Sequence, residues 1–194
     1  MIFFALNLKW QEEGKSLNQT DTGILSYAGR KADMSFLFEV YPIDQKNRKK
    51  INDFIMKNWF TMDMAVHGES IDLGNTEGWY VCDDNEIVGL ITYRIVKNDM
   101  EILSLDSLHE KKGIGTCLLD HAVNKAKDIG CSRVMLITTN DNLSALRFYQ
   151  KRGFDIIRLH HNAVEESRKI KPQIPLTGSN GIPIKHEIEL EIRL

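Results

Sequence analysis

A β-rich run meets a helical one across two glycines in Leu105-Asp106-Ser107-Leu108-His109-Glu110-Lys111-Lys112-Gly113-Ile114-Gly115-Thr116. Glycine has no β-carbon, so an anion can come close to the main chain there. The first amides of a helix lack internal acceptors, and the helix dipole favours negative charge at that end. Such a junction can hold a diphosphate on main-chain hydrogens alone, with Lys111 and Lys112 adding positive charge. A tight strand-to-helix turn flanked by exposed lysines fits the same residues. Two nucleotide loops do not fit. Gly113, Gly115 and Thr116 do not supply the phosphate-loop spacing, and Leu118 stands where the dinucleotide fingerprint needs its third glycine.

The second reactive-looking stretch is Asn142-Leu143-Ser144-Ala145-Leu146-Arg147-Phe148-Tyr149-Gln150-Lys151-Arg152-Gly153-Phe154. Ala145 and Tyr149 are four apart and share a helix face. A small residue there lets a ligand pass close to the helix, and the phenol reaches the same space. By spacing alone, the better fit is Tyr149 as a core residue and Asn142 as a plain cap.

These stretches need a scaffold. Ser35 to Tyr41 reads as a strand ended by Pro42, and Asp44 caps a helix whose apolar stripe is Ile51, Phe54, Ile55 and Trp59. A less regular segment follows through Met62 and Met64. Gly78 to Cys82, the turn Asp83-Asp84-Asn85, and Glu86 to Ile95 form a hairpin, and Met100 to Ser107 adds a third strand. The helix after Gly115 stops at Gly130. Arg133 to Thr138 then follows a helical crossover and is expected to run parallel to its neighbour. Asn142 opens a helix that stops at Gly153, Phe154 to Leu159 is a strand, and Asn162 caps a short helix to about Lys169. In Ile184 to Leu194, Ile184, His186, Ile188, Leu190 and Ile192 face one way and Lys185, Glu187, Glu189 and Glu191 the other. The sum is a mixed α/β sheet. Residues 1–33 are polar and aperiodic and read as an N-terminal extension, with a packed strand over Ile2 to Leu8 as the alternative; the single domain is expected over residues 34–194.

The chain has 194 residues, 25 lysines and arginines against 27 acidic residues, and a net charge of -2. This is no bulk basic charge for nucleic acid or an anionic membrane. No apolar run approaches the roughly 20 residues of a membrane span. Cys82, Cys117 and Cys131 are scattered and odd in number, which argues for reduced thiols and a cytoplasmic location over a disulfide framework. The six histidines show no helical ligand spacing, and no metal is expected.

Taken together, the two motifs resemble the GNAT superfamily of acetyl-CoA-dependent N-acetyltransferases. The later signature of that family, Asn-x-x-Ala-x-x-Phe-Tyr-x-x-x-Gly-Phe, is matched at Asn142, Ala145, Phe148, Tyr149, Gly153 and Phe154. The cofactor loop is matched at Gly113 and Gly115, while Glu110 stands where the family usually has Gln or Arg. The resemblance implies a mostly antiparallel central sheet, splayed at a cofactor wedge, with helices on both faces. It places pantetheine against Leu103, Leu105 and Ser107, and the diphosphate on the amides of Lys111, Lys112, Gly113, Ile114, Gly115 and Thr116. Asn142 and Ala145 would border the cofactor, and Tyr149 would protonate the departing thiolate.

The implied reaction is direct attack of a primary amine of a small molecule or protein on acetyl-CoA in a ternary complex. The amine must lose a proton first. Glu101 is the candidate base, with Asp106, Glu69 and a water chain as alternatives. A non-catalytic acyl-CoA sensor would need the loop but neither Tyr149 nor a base. The acceptor is expected near Trp59 to Ser70 and Lys171 to Ile184, and the final strand offers an edge for a homodimer.

Overall fold

The computed structural model describes residues 38–109, 112–178 and 180–194. The expected extension over residues 1–33 lies outside them. Nine strands and four α-helices occur among the described residues. Seven strands form one sheet in the order β1-β4-β5-β6-β7-β9-β8: β1 (Val40–Pro42), β4 (Glu77–Asp83), β5 (Glu86–Val96), β6 (Asp99–Ser107), β7 (Arg133–Thr139), β8 (Asp155–His160) and β9 (Glu187–Arg193). Every neighbouring pair is antiparallel except β6 and β7. The parallel pair is the one created by the helical crossover.

On one face, helix α2 (Ile114–Asp128) and helix α3 (Leu143–Gln150) cover a core that includes Ile91, Ile102, Leu105, Leu118, Leu136, Tyr149 and Leu190. On the other, helix α1 (Arg48–Trp59) buries Ile51, Phe54, Ile55 and Trp59 against Leu90, Leu103 and Ile137. The apolar stripe read from the sequence is therefore the buried face of α1. Beside α1, helix α4 (Ala163–Ile170) places Val164 against Ala65, Ile174 and Ile184 in a small separate core.

Several local expectations change. Asp44 does not cap α1. Its carboxylate accepts from the amides of Lys46 and Asn47 in a turn ahead of the helix, and the cap position is Asn47. Pro42 ends β1 as expected, at the edge of the sheet where its missing amide hydrogen costs no ladder bond. Asn162 precedes α4 without a side-chain cap bond.

The irregular segment after α1 is a second, two-stranded sheet, β2 (Asp63–Val66) and β3 (Glu69–Asp72). His67 (φ 49°) and Gly68 (φ 71°) form its turn. Left-handed backbone at both central positions suits the twist of a hairpin. The final strand is not an edge: β9 pairs with β7 on one side and β8 on the other, so the homodimer edge expected there is absent and β8 is the outer strand. No helix among the described residues is long and apolar enough to cross a membrane.

Candidate active site

The parallel ladder between β6 and β7 is short. It runs from Asp99↔Arg133 to Ile102↔Leu136 and stops, although β6 continues to Ser107 and β7 to Thr139. Beyond Ile102 the two central strands diverge. On its other side β6 stays paired with β5 as far as Ser107↔Gly89, with an irregularity opposite Thr92/Tyr93 that falls at Leu103. The Leu108 amide donates to the Val88 carbonyl toward β5. Strand alternation therefore turns the amides of Leu105 and Ser107 toward the open side. Leu103, Leu105 and Ser107, the predicted pantetheine edge, all lie on this unpaired part of β6.

Helix α2 begins at the mouth of the same opening. Gly113 holds the left-handed conformation (φ 88°) that lets the chain turn from β6 into the helix. The first helical bond runs from the Cys117 amide to the Gly113 carbonyl at 2.9 Å. The amides of Ile114, Gly115 and Thr116 therefore precede the intrahelical ladder, where an anion is favoured. Lys112 is exposed beside them; Lys111 and Glu110 lie outside the described residues. Arg152 adds fixed positive charge. Its guanidinium hydrogen-bonds to Thr116 Oγ1 and the Phe148 carbonyl, and its centre lies 3.5 Å from the centroid of the Phe148 ring.

Asn142 sits at the N-terminus of α3 and accepts there from the Ala145 amide at 3.1 Å and from Ser144 Oγ at 3.0 Å. It shapes the helix that borders the opening. Ala145 and Tyr149 are both fully buried on the helix face turned to the sheet. The Tyr149 ring packs edge-on against Phe148 and Phe154.

The wedge reading expects the Tyr149 phenol at an accessible surface, whereas the whole side chain is enclosed. Its surroundings are nonetheless charged. Burial, and then the negative charge of Asp106, push the hydroxyl well above its ordinary value, while Arg152 acts in the opposite sense. This phenol keeps its proton at neutral pH and has a hydrogen to donate.

In the sequence Asp106 is only an alternative base. Its side chain is fully buried, with Oδ1 accepting from Trp59 Nε1 at 2.9 Å and Oδ2 lacking a hydrogen-bond partner among the described residues. Burial pushes its carboxyl up to about 7, against the opposing effect of the Trp59 bond. A buried oxygen with no partner is costly. Its position on the unpaired end of β6 gives an incoming polar group something to meet.

The opposite face of the sheet carries the carboxylates. Glu101 is buried and held by Arg94 Nε at 2.6 Å, and Arg94 also reaches Glu69 at 3.8 Å. Glu187, Glu189 and Glu191 form the charged side of β9, yet all three are buried. Glu191 bonds to Arg133 Nη1 at 2.6 Å, and Arg133 Nε bonds to Asp99 at 2.7 Å. These contacts hold the Glu191 carboxyl low and keep the guanidinium charged. Glu187 accepts from His67 Nδ1 at 2.7 Å, from the His67 amide and from Ser167 Oγ at 2.9 Å. Residues 120 positions apart share no local pattern, so the His67–Glu187 unit is not legible in the sequence. The only local cue was the His67-Gly68 turn dipeptide.

Among the described residues no group of histidine, cysteine and carboxylate side chains is arranged to hold a metal ion. None of the three cysteines is in a disulfide, and Cys117 is buried on the core side of α2.

Comparison with known proteins agrees with this architecture. Residues 39–154 match the model of the "Acetyltransferase (GNAT) family". The chain is 43% identical over 150 residues to the uncharacterized protein YdhI of Bacillus subtilis, spanning 77% of this chain and 94% of that one. It is also 43% identical over 152 residues to the uncharacterized protein YxbD of the same organism, spanning 78% and 96%. A solved Bacillus subtilis acetyltransferase in complex with CoA shares the fold at a TM-score of 0.58 and 20% identity, covering 81% of this chain and 99% of that one. The splayed parallel pair, the glycine-started helix and the matched family together place this chain in the GNAT family of N-acetyltransferases.

Proposed function

We propose that the protein transfers an acetyl group from acetyl-CoA to a primary amine by direct attack, with both substrates bound at once. The observation that carries this reading is the end of the β6–β7 ladder at Ile102↔Leu136, in front of the α2 N-terminus. One opening thus has main-chain donors along one wall and an anion-favouring helix end at its mouth. The residues fit acetyl-CoA. The amides of Ile114, Gly115 and Thr116 would hold the diphosphate, with the exposed Lys112 beside them. The Leu105 and Ser107 amides would hold pantetheine. Acetyl-CoA supplies the activated acyl group.

A main-chain amide near Leu105 is suited to donate to the thioester oxygen as negative charge grows on it. Tyr149 is suited to donate to sulfur. A thiol has a pKa of about 8.5, and the Tyr149 phenol is held above its ordinary 10. Full proton loss from the phenol to a thiolate is therefore uphill. Tyr149 stabilises the leaving sulfur through a hydrogen bond and passes on a proton only as it receives another. Glu101, fixed by Arg94, would present negative charge toward the amine.

Enclosure of Tyr149 favours a second reading, an acyl-CoA sensor that binds without turnover. The two separate in one experiment on the full chain. A thermal shift with acetyl-CoA is expected in both cases, and CoA at 100 times its Kd adds about 2.7 kcal/mol. Thiol release with a panel of primary amines is expected only from the enzyme. Binding without release from any amine would favour the sensor, and no shift at all would remove both readings.

A further inference from the structure

His67 stands at the tip of the β2–β3 hairpin, over the sheet face opposite α2 and α3. Glu187, which holds it, is on the side of β9 facing away from Ile188, Leu190 and Ile192, and those three pack with the α2–α3 core. Glu187 is opposite Thr139 and Glu189 opposite Ile137, on the part of β7 that has left β6. The imidazole also feels the charge of Glu101, one residue before the last β6–β7 pair. It thus lies over β9 and β8, beside the open end of β7 beyond the last β6–β7 pair, on the sheet face away from Tyr149.

The position is rigidly specified. Glu187 is fully buried and takes three donors: the His67 amide, His67 Nδ1 and Ser167 Oγ. The left-handed backbone of His67 and Gly68 fixes the turn, and the His160 ring packs 4.1 Å from the imidazole. About a third of the His67 side chain stays exposed. A carboxylate bonded to Nδ1 fixes the tautomer and leaves Nε2 as the basic nitrogen.

We propose that His67, oriented by Glu187, is the proton acceptor for the amine in the acetyl transfer proposed above, on which this assignment rests. Written from the ammonium form, His67 Nε2 takes one proton and exposes the nitrogen lone pair. The C–N bond forms as the C–S bond breaks. The second proton lost by nitrogen equals the one gained by sulfur, relayed through Tyr149. His67 returns its own proton to water, so one proton is released per turnover. The bond from Glu187 raises the imidazole pKa above 6.5, and burial opposes it. The groups around it act in both senses. Glu69 and Glu166 lie toward the hairpin tip, Glu166 being paired with Lys169. Glu101 is balanced by Arg94, and Glu189 by His160 and Arg133.

The test uses the full chain and two probe amines. Butylamine is cationic at neutral pH, whereas O-methylhydroxylamine is already neutral. His67→Asn keeps a residue that tolerates left-handed backbone but cannot act as a base. His67→Gly leaves room for added imidazole. Thiol release is followed from pH 6 to 9, with acetyl-CoA binding read by thermal shift. Expected for His67→Asn is a loss of roughly 10²-fold or more in kcat/KM with butylamine. The loss with O-methylhydroxylamine should be much smaller, the rising limb above pH 6.5 should flatten, and acetyl-CoA binding should be kept. Imidazole should restore part of the His67→Gly rate. An unchanged rate and pH profile in His67→Asn overturns the assignment alone. So does an equal loss with both amines without imidazole rescue, which marks a structural role. No thiol release from the unaltered protein with either amine overturns this assignment and the transfer reading together.

Discussion

Replacing Asp106 with asparagine isolates a carboxyl whose titration burial displaces far upward. The folded chain holds the Asp106 proton up to about pH 7, and the unfolded chain releases it near 3.8. Between those values folding takes up a proton, so stability falls as pH rises through the window. At roughly 1.4 kcal/mol per pH unit of displacement, the full span is at most about 4 kcal/mol, with roughly 3 kcal/mol of it lost between pH 5 and pH 8. Asp106→Asn keeps the shape and can still accept from Trp59 Nε1, but cannot ionise. The variant should therefore gain on the unaltered protein as pH rises. At roughly 2–4 °C per kcal/mol for a chain of this size, the difference in Tm should shift by about 6–12 °C in its favour between pH 5 and pH 8. Thermal and urea unfolding of both proteins at the two pH values measures this. A gap that stays constant with pH would mean that Asp106 is ionised in the folded protein throughout, and the buried, half-partnered carboxyl would be refuted.

Other substitutions probe the opening and its frame. Tyr149→Phe should lower kcat by roughly 10- to 10³-fold while acetyl-CoA still shifts the melting temperature; an unchanged kcat removes the phenol from the chemistry. A β-carbon on Gly115 would lie 3.6 Å from the Phe148 ring and 3.8 Å from Ser107 Cβ, ordinary contacts that the fold accommodates. Gly115→Ala should thus leave the melting temperature near its original value but weaken CoA binding several-fold, and titration calorimetry reads the difference. Gly89→Ala puts its β-carbon 2.4 Å from Ile114 Cγ2 and 3.0 Å from Leu118 Cδ1. Lifting α2 to relieve that overlap should cost roughly 1–3 kcal/mol in urea unfolding.

Legibility followed sequence distance. The α2 junction and the α3 signature are local patterns, and their elements lie where the spacing put them: Gly113 turns the chain, Asn142 caps and Tyr149 faces the sheet. The parallel β6–β7 pair followed from the crossover rule. The β2–β3 hairpin was not legible because four-residue strands carry too little alternation, and its turn uses His67 where asparagine or aspartate would have announced it. Alternation in β9 predicted two faces correctly but could not tell that the acidic face is covered. Its cover comes from Arg133 on β7, Ser167 on α4 and His67 on the hairpin. A row of buried glutamates looks like a solvated row until its distant partners are in place. Asp44 misled for the opposite reason: its side chain satisfies nearby amides in a turn before the helix begins.

The central seam has a mechanical meaning of its own. The β1-β4-β5-β6 panel and the β7-β9-β8 panel meet along only four residue pairs, gathered at one end beside the Asp99–Arg133 ion pair. They are hinged like the covers of a book bound at one corner. Breathing of the two panels should be greatest at the far corner, where Ser107 and Thr139 end their strands, and amide protons there should exchange with solvent fastest. Anything clasped across both covers would quiet that motion along the whole spine, so the protein's rigidity should report occupancy at a distance from the contact itself.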